Sequence, residues 1–299
     1  METRATDLPS LASTSASLLA NEALSGGCHR LEVAPAGRFP PARPGQFCMV
    51  SLADPRFPLL PRPFSVLGCT GVGGEQRLEF MVMPVGRGSG LLCSLSTGDE
   101  LQVVGPLGQA LEPALDQALD QALEQALAGD DQAPGPVICV AGGYGVAPFL
   151  FLAESWRRAG DPRHDKLIVV FGARTAERLT LADRLATSGV RVELCTDDGS
   201  TGHHGRVDGR LAALIEAERP GVVLSCGPEP MMEAVGAVSR EAGVPAIASL
   251  ETVMGCGYAV CNGCAVAVDS ESEADGFTYE LACREGTLFD STRLHWNRL

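Results

Sequence analysis

The sequence is short of lysine, of aromatic side chains and of long apolar runs, and each shortage removes a class of function. Lysine and arginine together number 23, and all but Lys166 are arginine. A Schiff-base or lysine-nucleophile enzyme therefore has almost no candidate residue. Aromatic residues make up 5% of the chain and hydrophobic residues 45%. A core is available, but it must be built from Ala, Val and Leu. No run reaches the roughly 18 apolar residues of a membrane span. The longest apolar stretch, residues 137–153, is broken by Gly142, Gly143, Gly145 and Pro148. The opening residues carry Glu2 and Asp7 and lack a basic segment followed by an unbroken apolar one. No export signal and no membrane partner are expected, and the cytoplasm is the expected compartment.

The formal net charge is −14. Phosphate backbones would be repelled, so nucleic acid is not an expected partner. Solubility and the steering of a basic partner protein are both consistent with such a charge. Cysteine is plentiful, with 11 residues. An odd count without an export signal favours a reducing compartment and a metal site over disulfides.

At 299 residues the chain is long enough for two or three domains. Residues 1–108 read as an N-terminal tail followed by β structure. Short apolar runs at 46–52, 64–68, 78–83 and 101–104 are punctuated by Pro and Gly, as in a small antiparallel barrel or sandwich. Residues 109–135 hold a direct Ala-Leu-Asp-Gln repeat, acidic and without a basic residue. Its composition favours helix, but a four-residue period drifts around a helix. A helical or frayed spacer is expected, with an interaction helix as the sharper alternative. Residues 136–248 alternate strand and helix, which implies a parallel sheet with helices on both faces. Residues 249–299 are rich in Cys and Gly, and so short a tail needs a metal to help hold it.

Four cysteines in that tail follow the pattern Cys256-x4-Cys261-x2-Cys264, with Cys283 farther on. This is the spacing of a plant-type [2Fe–2S] cluster. Three thiolates on one tight loop wrap the cluster, and Gly255, Gly257 and Gly263 let the backbone bend. Structural zinc is the alternative, but it more commonly takes two close C-x2-C pairs. Cys28, Cys48, Cys69, Cys93, Cys139, Cys195 and Cys226 are scattered and read mostly as small buried hydrophobes.

A strand at 137–141 runs into Gly142-Gly143-Tyr144-Gly145-Val146-Ala147-Pro148. Strand, glycine-rich turn and helix start together suit a pyrophosphate, and Pro148 suits a first helical turn. An ordinary strand-to-helix turn remains the alternative. Cys226-Gly227-Pro228 follows the fourth predicted strand, where open α/β sheets bind ligands. It too has a plain turn as its alternative. In the β half, Arg62-Pro63-Phe64-Ser65 offers a pyrophosphate clamp, an aromatic face and a hydroxyl. Gly86-Arg87-Gly88-Ser89 is a second turn with free amides. A solvent-facing turn would explain either motif alone.

Taken in this order, the motifs resemble the ferredoxin–NADP reductase-like superfamily. Within it the chain is similar to the electron-transfer subunits of dihydroorotate dehydrogenase B. The resemblance runs from about Asn21 to Asp290, apart from the repeat. It includes Pro44-Gly45-Gln46-Phe47, Gly105-Pro106-Leu107-Gly108, Phe171-Gly172-Ala173-Arg174, Thr196-Asp197-Asp198-Gly199-Ser200, Ser249-Leu250-Glu251 and Cys283-Arg284-Glu285-Gly286.

The resemblance implies an antiparallel FAD-binding barrel, a parallel-sheet NAD-binding domain and a small C-terminal [2Fe–2S] domain. Arg62, Pro63, Phe64 and Ser65 would bind FAD, and Met81, Val82 and Met83 would offer backbone contacts to it. Gly88 and Ser89 would hold its pyrophosphate. Gly142, Gly143, Gly145, Ala147 and Pro148, with Cys226, Gly227 and Pro228, would position NAD. Cys256, Cys261, Cys264 and Cys283 would hold the cluster. An FMN-containing catalytic subunit would oxidise dihydroorotate, in a heterotetramer of two plus two, and this chain would pass the electrons to NAD⁺. Three departures stand out: Pro61 where the family usually has a second arginine, Ser89 for threonine, and the repeat. The flavin subunit of another redox complex, a stand-alone oxygenase reductase and a zinc-stabilised nucleotide-binding regulator are the competing expectations.

Overall fold

The computed structural model describes residues 12–53, 60–128, 135–273 and 275–299. Its first half is antiparallel. β1 (Ala12–Ala23), β2 (His29–Pro35), β3 (Phe47–Leu52), β4 (Arg62–Thr70), β5 (Arg77–Val82) and β6 (Glu100–Leu107) close into a barrel in the order β1-β2-β5-β4-β3-β6. Leu31, Val33 and Pro35 of β2 are buried and alternate with half-buried neighbours, as side chains on successive positions of a strand must. Leu18, Val33, Val66, Phe80 and Val103 meet inside the barrel. α1 (Arg87–Cys93) bridges β5 and β6. β1 lies largely where the sequence reads as a tail. It is made of Ala, Ser and Thr and buries Ala16 and Leu18 alone, so its apolar alternation is too faint to read.

The repeat forms α2 (Leu111–Ala128), and residues 129–134 lie outside the described residues. Leu111, Leu115 and Ala118 pack into the core of the α/β half. Arg43 pairs with Glu112 and Arg163 with Asp116. Each four-residue step turns the helix about 40° past a full turn, so the stripe drifts from buried Leu111 and Leu115 to half-buried Leu119. Asp120 and Glu124 are accordingly exposed.

The α/β half contains β7 (Val137–Gly142), α3 (Ala147–Ala159), β8 (Leu167–Ala173), α4 (Ala182–Thr187), β9 (Arg191–Thr196), β10 (His203–His204), α5 (Val207–Glu218), β11 (Val222–Cys226), α6 (Glu229–Glu241) and β12 (Ala246–Ser249). The C-terminal segment adds β13 (Ala265–Asp269), β14 (Phe277–Leu281), α7 (Ala282–Glu285) and β15 (Leu288–Asp290). The sheet runs β10-β9-β8-β7-β11-β12-β15, parallel as far as β12. β7 and β11 are buried along their whole length, which is why they read as unbroken apolar runs and not as alternating ones. β15 pairs antiparallel with β12. The cysteine-rich tail therefore supplies an edge strand to the parallel sheet. No described helix is long and apolar enough to cross a membrane.

Candidate functional site

Strand order reverses between β7 and β11, and ligands bind at such a switch point, beyond the carboxyl ends of the strands. The loops leaving these two strands interlock. A Cβ on Gly145 would lie 2.0 Å from the Cys226 carbonyl oxygen, and one on Gly227, whose φ is +150°, 2.9 Å from the Gly142 Cα. No larger residue fits either position. A cavity of about 850 Å³ opens beside them. Gly142, Gly143, Gly227 and Pro228 line it, together with Arg174, Arg178 and Asp197. Gly145 and Pro148 are buried behind that wall. Cys226 is buried at the strand end. Burial and the Glu251 carboxylate push its thiol well above the ordinary value, against a bond to Ser249. Among the described residues Arg174 and Arg178 make no ion pair, so both remain available to an anionic ligand.

A second cavity, of about 890 Å³, lies between barrel and α/β half. Arg62, Pro63, Phe64 and Ser65 of β4 line it, as do Pro61, Met81, Met83 and Ala147. Val82 points the other way, into the barrel core, because it alternates with its neighbours along the strand. Gly88 lies against Arg62, and a Cβ there would be 3.1 Å from the guanidinium carbon. The Ser89 hydroxyl accepts a hydrogen bond from the Gly86 amide at 3.1 Å. That hydroxyl also donates to the Gly86 carbonyl at 3.2 Å, so Arg62 and Gly88 make the anion-suited edge and Ser89 holds the turn. Elsewhere in this cavity the Thr252 and Thr287 hydroxyls are buried without a partner. An apolar trough edged by an arginine fits FAD, which combines a pyrophosphate with a flat ring.

The two cavities share Met83, Tyr144 and Glu251 as lining. Glu251 is exposed to both cavities, yet the protein around it strips water from its carboxyl and pushes it above the ordinary carboxylate range. Burial also raises Tyr144.

The flavin-suited cavity ends on the cysteine loop. Gly255 lines it, and the next residue is Cys256. Burial alone would raise the Cys256 thiol, but the amides of Tyr258, Cys261 and Val260 hold it down at about 7. The Cys264 and Cys283 sulfurs are 3.1 Å apart, and the Ala259 amide donates to Cys283 at 3.1 Å. Burial pushes the Cys283 thiol up to about 12, and the neighbouring Cys264 adds to the rise. Positive φ at Gly257 (84°), Ala259 (61°) and Asn262 (56°) bends the loop around the sulfurs. A Cβ on Gly255 would lie 3.4 Å from the Cys261 sulfur, and one on Gly263 3.5 Å from it.

Among the described residues no three Cys, His, Asp or Glu side chains gather as a single metal ion would require. The Cys264 and Cys283 sulfurs form one close pair, and Cys256 and Cys261 stand on the same bent loop. Two thiolates for each of two irons is the ligand set of a [2Fe–2S] cluster, so this donor set fits that group. The other seven cysteines form no disulfide, and Cys28, Cys48, Cys139, Cys195 and Cys226 are buried.

Sequence reasoning missed Tyr144, Arg178, Thr252 and Thr287 as cavity residues. Tyr144 stood inside a quoted motif and was passed over for its glycines. The other three belong to no motif, and the fold alone brings them to the cavities.

Two family models match the chain. An oxidoreductase NAD-binding domain covers residues 139–237, and the iron–sulfur cluster binding domain of dihydroorotate dehydrogenase B covers residues 251–295. The chain is 35% identical over 253 residues to a probable dihydroorotate dehydrogenase B (NAD(+)) electron transfer subunit of Methanothermobacter thermautotrophicus, covering 84% of this chain and 79% of that one. It is 30% identical over 275 residues to the corresponding subunit of Caldanaerobacter subterraneus, covering 92% and 95%. Among solved structures, it superposes on an NADH-dependent reduced ferredoxin–NADP oxidoreductase with a TM-score of 0.74 and 24% identity, over 95% of this chain and 91% of that one. With its reductase-like barrel, NAD-binding sheet and four-cysteine segment in one polypeptide, the chain belongs to the family of dihydroorotate dehydrogenase B electron transfer subunits, which are NAD-linked oxidoreductases.

Proposed function

We propose that this chain carries electrons from a partner dihydroorotate dehydrogenase containing FMN to NAD⁺, through a [2Fe–2S] cluster and FAD, in cytoplasmic pyrimidine biosynthesis. One observation carries this reading. The flavin-suited cavity shares Met83, Tyr144 and Glu251 with the nucleotide cavity, and it is lined by Gly255, the residue before Cys256. This neighbourhood of cavity, cavity and cysteine loop supports a relay between the three groups.

The cofactors supply the chemistry, since a flavin links one-electron carriers to hydride transfer. The protein binds, orients and shields them. Arg62 and Gly88 hold the FAD pyrophosphate, on the turn that Ser89 holds. Phe64, Ser65, Met81 and Met83 flank the ring. Gly142, Gly143, Gly227 and Pro228 seat NAD, and Arg178 adds charge for its phosphates. Asp197 disfavours the extra phosphate of NADP. Cys256, Cys261, Cys264 and Cys283 bind the cluster. Val260, 74% exposed and next to the exposed Cys261, gives the catalytic subunit an apolar place to dock. Two such chains would join two catalytic subunits.

The test is purification of the tagged chain, anaerobically, from its own cells. It should bring down an FMN protein, and the pair should form NADH from dihydroorotate and NAD⁺ where neither does alone. Co-purification with a different redox enzyme, and no NADH from dihydroorotate, would contradict the proposal.

A further inference from the structure

The barrel and the α/β half meet along one stripe of α3. Ala147, at its start, lines the flavin-suited cavity. Phe151, a turn later, is buried among barrel side chains. Glu154 comes next, and then Arg158, whose guanidinium donates to the Cys69 carbonyl of β4 at 3.1 Å. Steps of four, three and four residues keep all of them on one helix face.

Glu154 reaches the barrel through Arg184 of α4. The guanidinium is bidentate on Glu154, with bonds of 2.7 and 2.9 Å, and its third nitrogen donates to Glu79 of β5 at 2.5 Å. The other Glu79 oxygen takes Arg30 of β2 at 3.1 Å, and Arg30 is held in turn by Glu22 and Glu32. Each half thus fixes its own member of the pair, and the Arg184–Glu79 bond crosses between them. The three side chains are between 18% and 27% exposed. An ion pair that keeps contact with water adds little to stability. What a bidentate arginine adds is fixed geometry.

The crossing bond lies on the elements that carry the two cavities. Glu79 and Met81 share one face of β5, about 7 Å apart. Met81 lines the flavin-suited cavity, and Met83 lines both. Thr180, four residues before Arg184, lines the nucleotide cavity. Neither Arg184 nor Glu79 lines either cavity. We infer that Arg184 is a positioning residue for hydride transfer: by tying Glu79 to Glu154 it sets the barrel against the α/β half, and so sets the approach of nicotinamide to flavin. The inference rests on NAD and FAD occupying these two cavities.

The test compares Arg184→Met and Glu79→Gln with the wild-type holoprotein. Both remove the crossing ion pair, and the glutamine keeps the shape of Glu79 and leaves Arg184 paired with Glu154. Flavin reduction by NADH is followed anaerobically in a single turnover, with bound FAD per chain as the folding control. The limiting rate should fall about tenfold in each variant, part of the loss that a misplacement of about 1 Å can cause. The NADH concentration at half-saturation should stay within about twofold of wild type, since neither residue touches the nucleotide. The long-wavelength charge-transfer absorbance of the reduced protein with NAD⁺ reads contact between the two rings, and it should weaken in both variants. The double variant should be no slower than the slower single one, because both changes cut the same bond. Limiting rates and charge-transfer absorbance like those of wild type in both variants would overturn the inference. So would slower reduction that saturating NADH restores, since the pair would then act on binding. A wild-type flavin that NADH does not reduce would instead overturn the reading of the two cavities.

Discussion

In the α/β half, Ile138, Val140, Val170, Leu211 and Val235 bury one another on one face of the sheet, and every member of that cluster comes from the same half. The cysteine-bearing segment has no such set. Its apolar residues, Leu250, Met254, Val266 and Phe289 among them, share a core with Phe47, Met49 and Leu107 of the barrel and Met232 and Ala248 of the sheet domain. The α/β half has one face closed by its own packing, whereas the cysteine segment is held by borrowed surface and by what its thiols bind. That difference suits their tasks. A nucleotide site needs a rigid switch point, whereas a cluster that relays electrons must be pressed against the flavin site.

Removing a cluster ligand should break the comparison most visibly. Cys283→Ser is expected to abolish the cluster's visible bands and to expose backbone amides after residue 250 to hydrogen exchange, while β7 and β8 stay protected. Equal loss of protection in both regions would mean that they are one cooperative unit. Ile138→Ala makes the opposite cut. Ile138 is fully buried, so its truncation should cost about 2–5 kcal/mol in chemical denaturation and leave the cluster bands intact. Gly257→Ala probes the borrowed surface. Its φ is +84°, and the new Cβ would lie 2.4 Å from the Met49 Cγ, which predicts a loss of roughly 1–3 kcal/mol. Met49→Ala in the same chain should recover part of that loss, and a double-mutant cycle measures the coupling.

A smaller effect is expected at the junction. Desolvation raises the Glu251 carboxyl in the folded protein. Its share of stability is therefore full below the unfolded-state pKa and is lost as pH rises through the raised folded value. Glu251→Gln should match wild type in acid and exceed it at neutral pH in denaturation curves. A wild-type advantage at neutral pH would show that the charged form is favoured.

Much of this was legible in the sequence where chemistry dictates spacing. The cysteine spacing is that of a cluster-binding segment, which a family model matches over residues 251–295, and Gly142, Gly145 and Gly227 are required by two loops in contact. The barrel was visible from β2 onward but not in β1, whose Ser- and Ala-rich run carries little apolar signal. The repeat was read as helical or frayed, and it is a helix because Leu111, Leu115 and Ala118 find the α/β core. Thr252, Thr287 and Arg178 were invisible for a different reason. The residues that line the cavities with them lie on other segments, and no local pattern announces a wall assembled from several stretches of chain.

The central claim is that nicotinamide, flavin and cluster sites are in direct succession. The visible absorption spectrum of anaerobically purified protein, before and after addition of NADH, tests it most directly. The account predicts a flavin envelope with a broad red shoulder, both bleached by NADH. Bleaching of the flavin with the shoulder unchanged, or a sample still colourless after reconstitution with iron, sulfide and FAD, would contradict it.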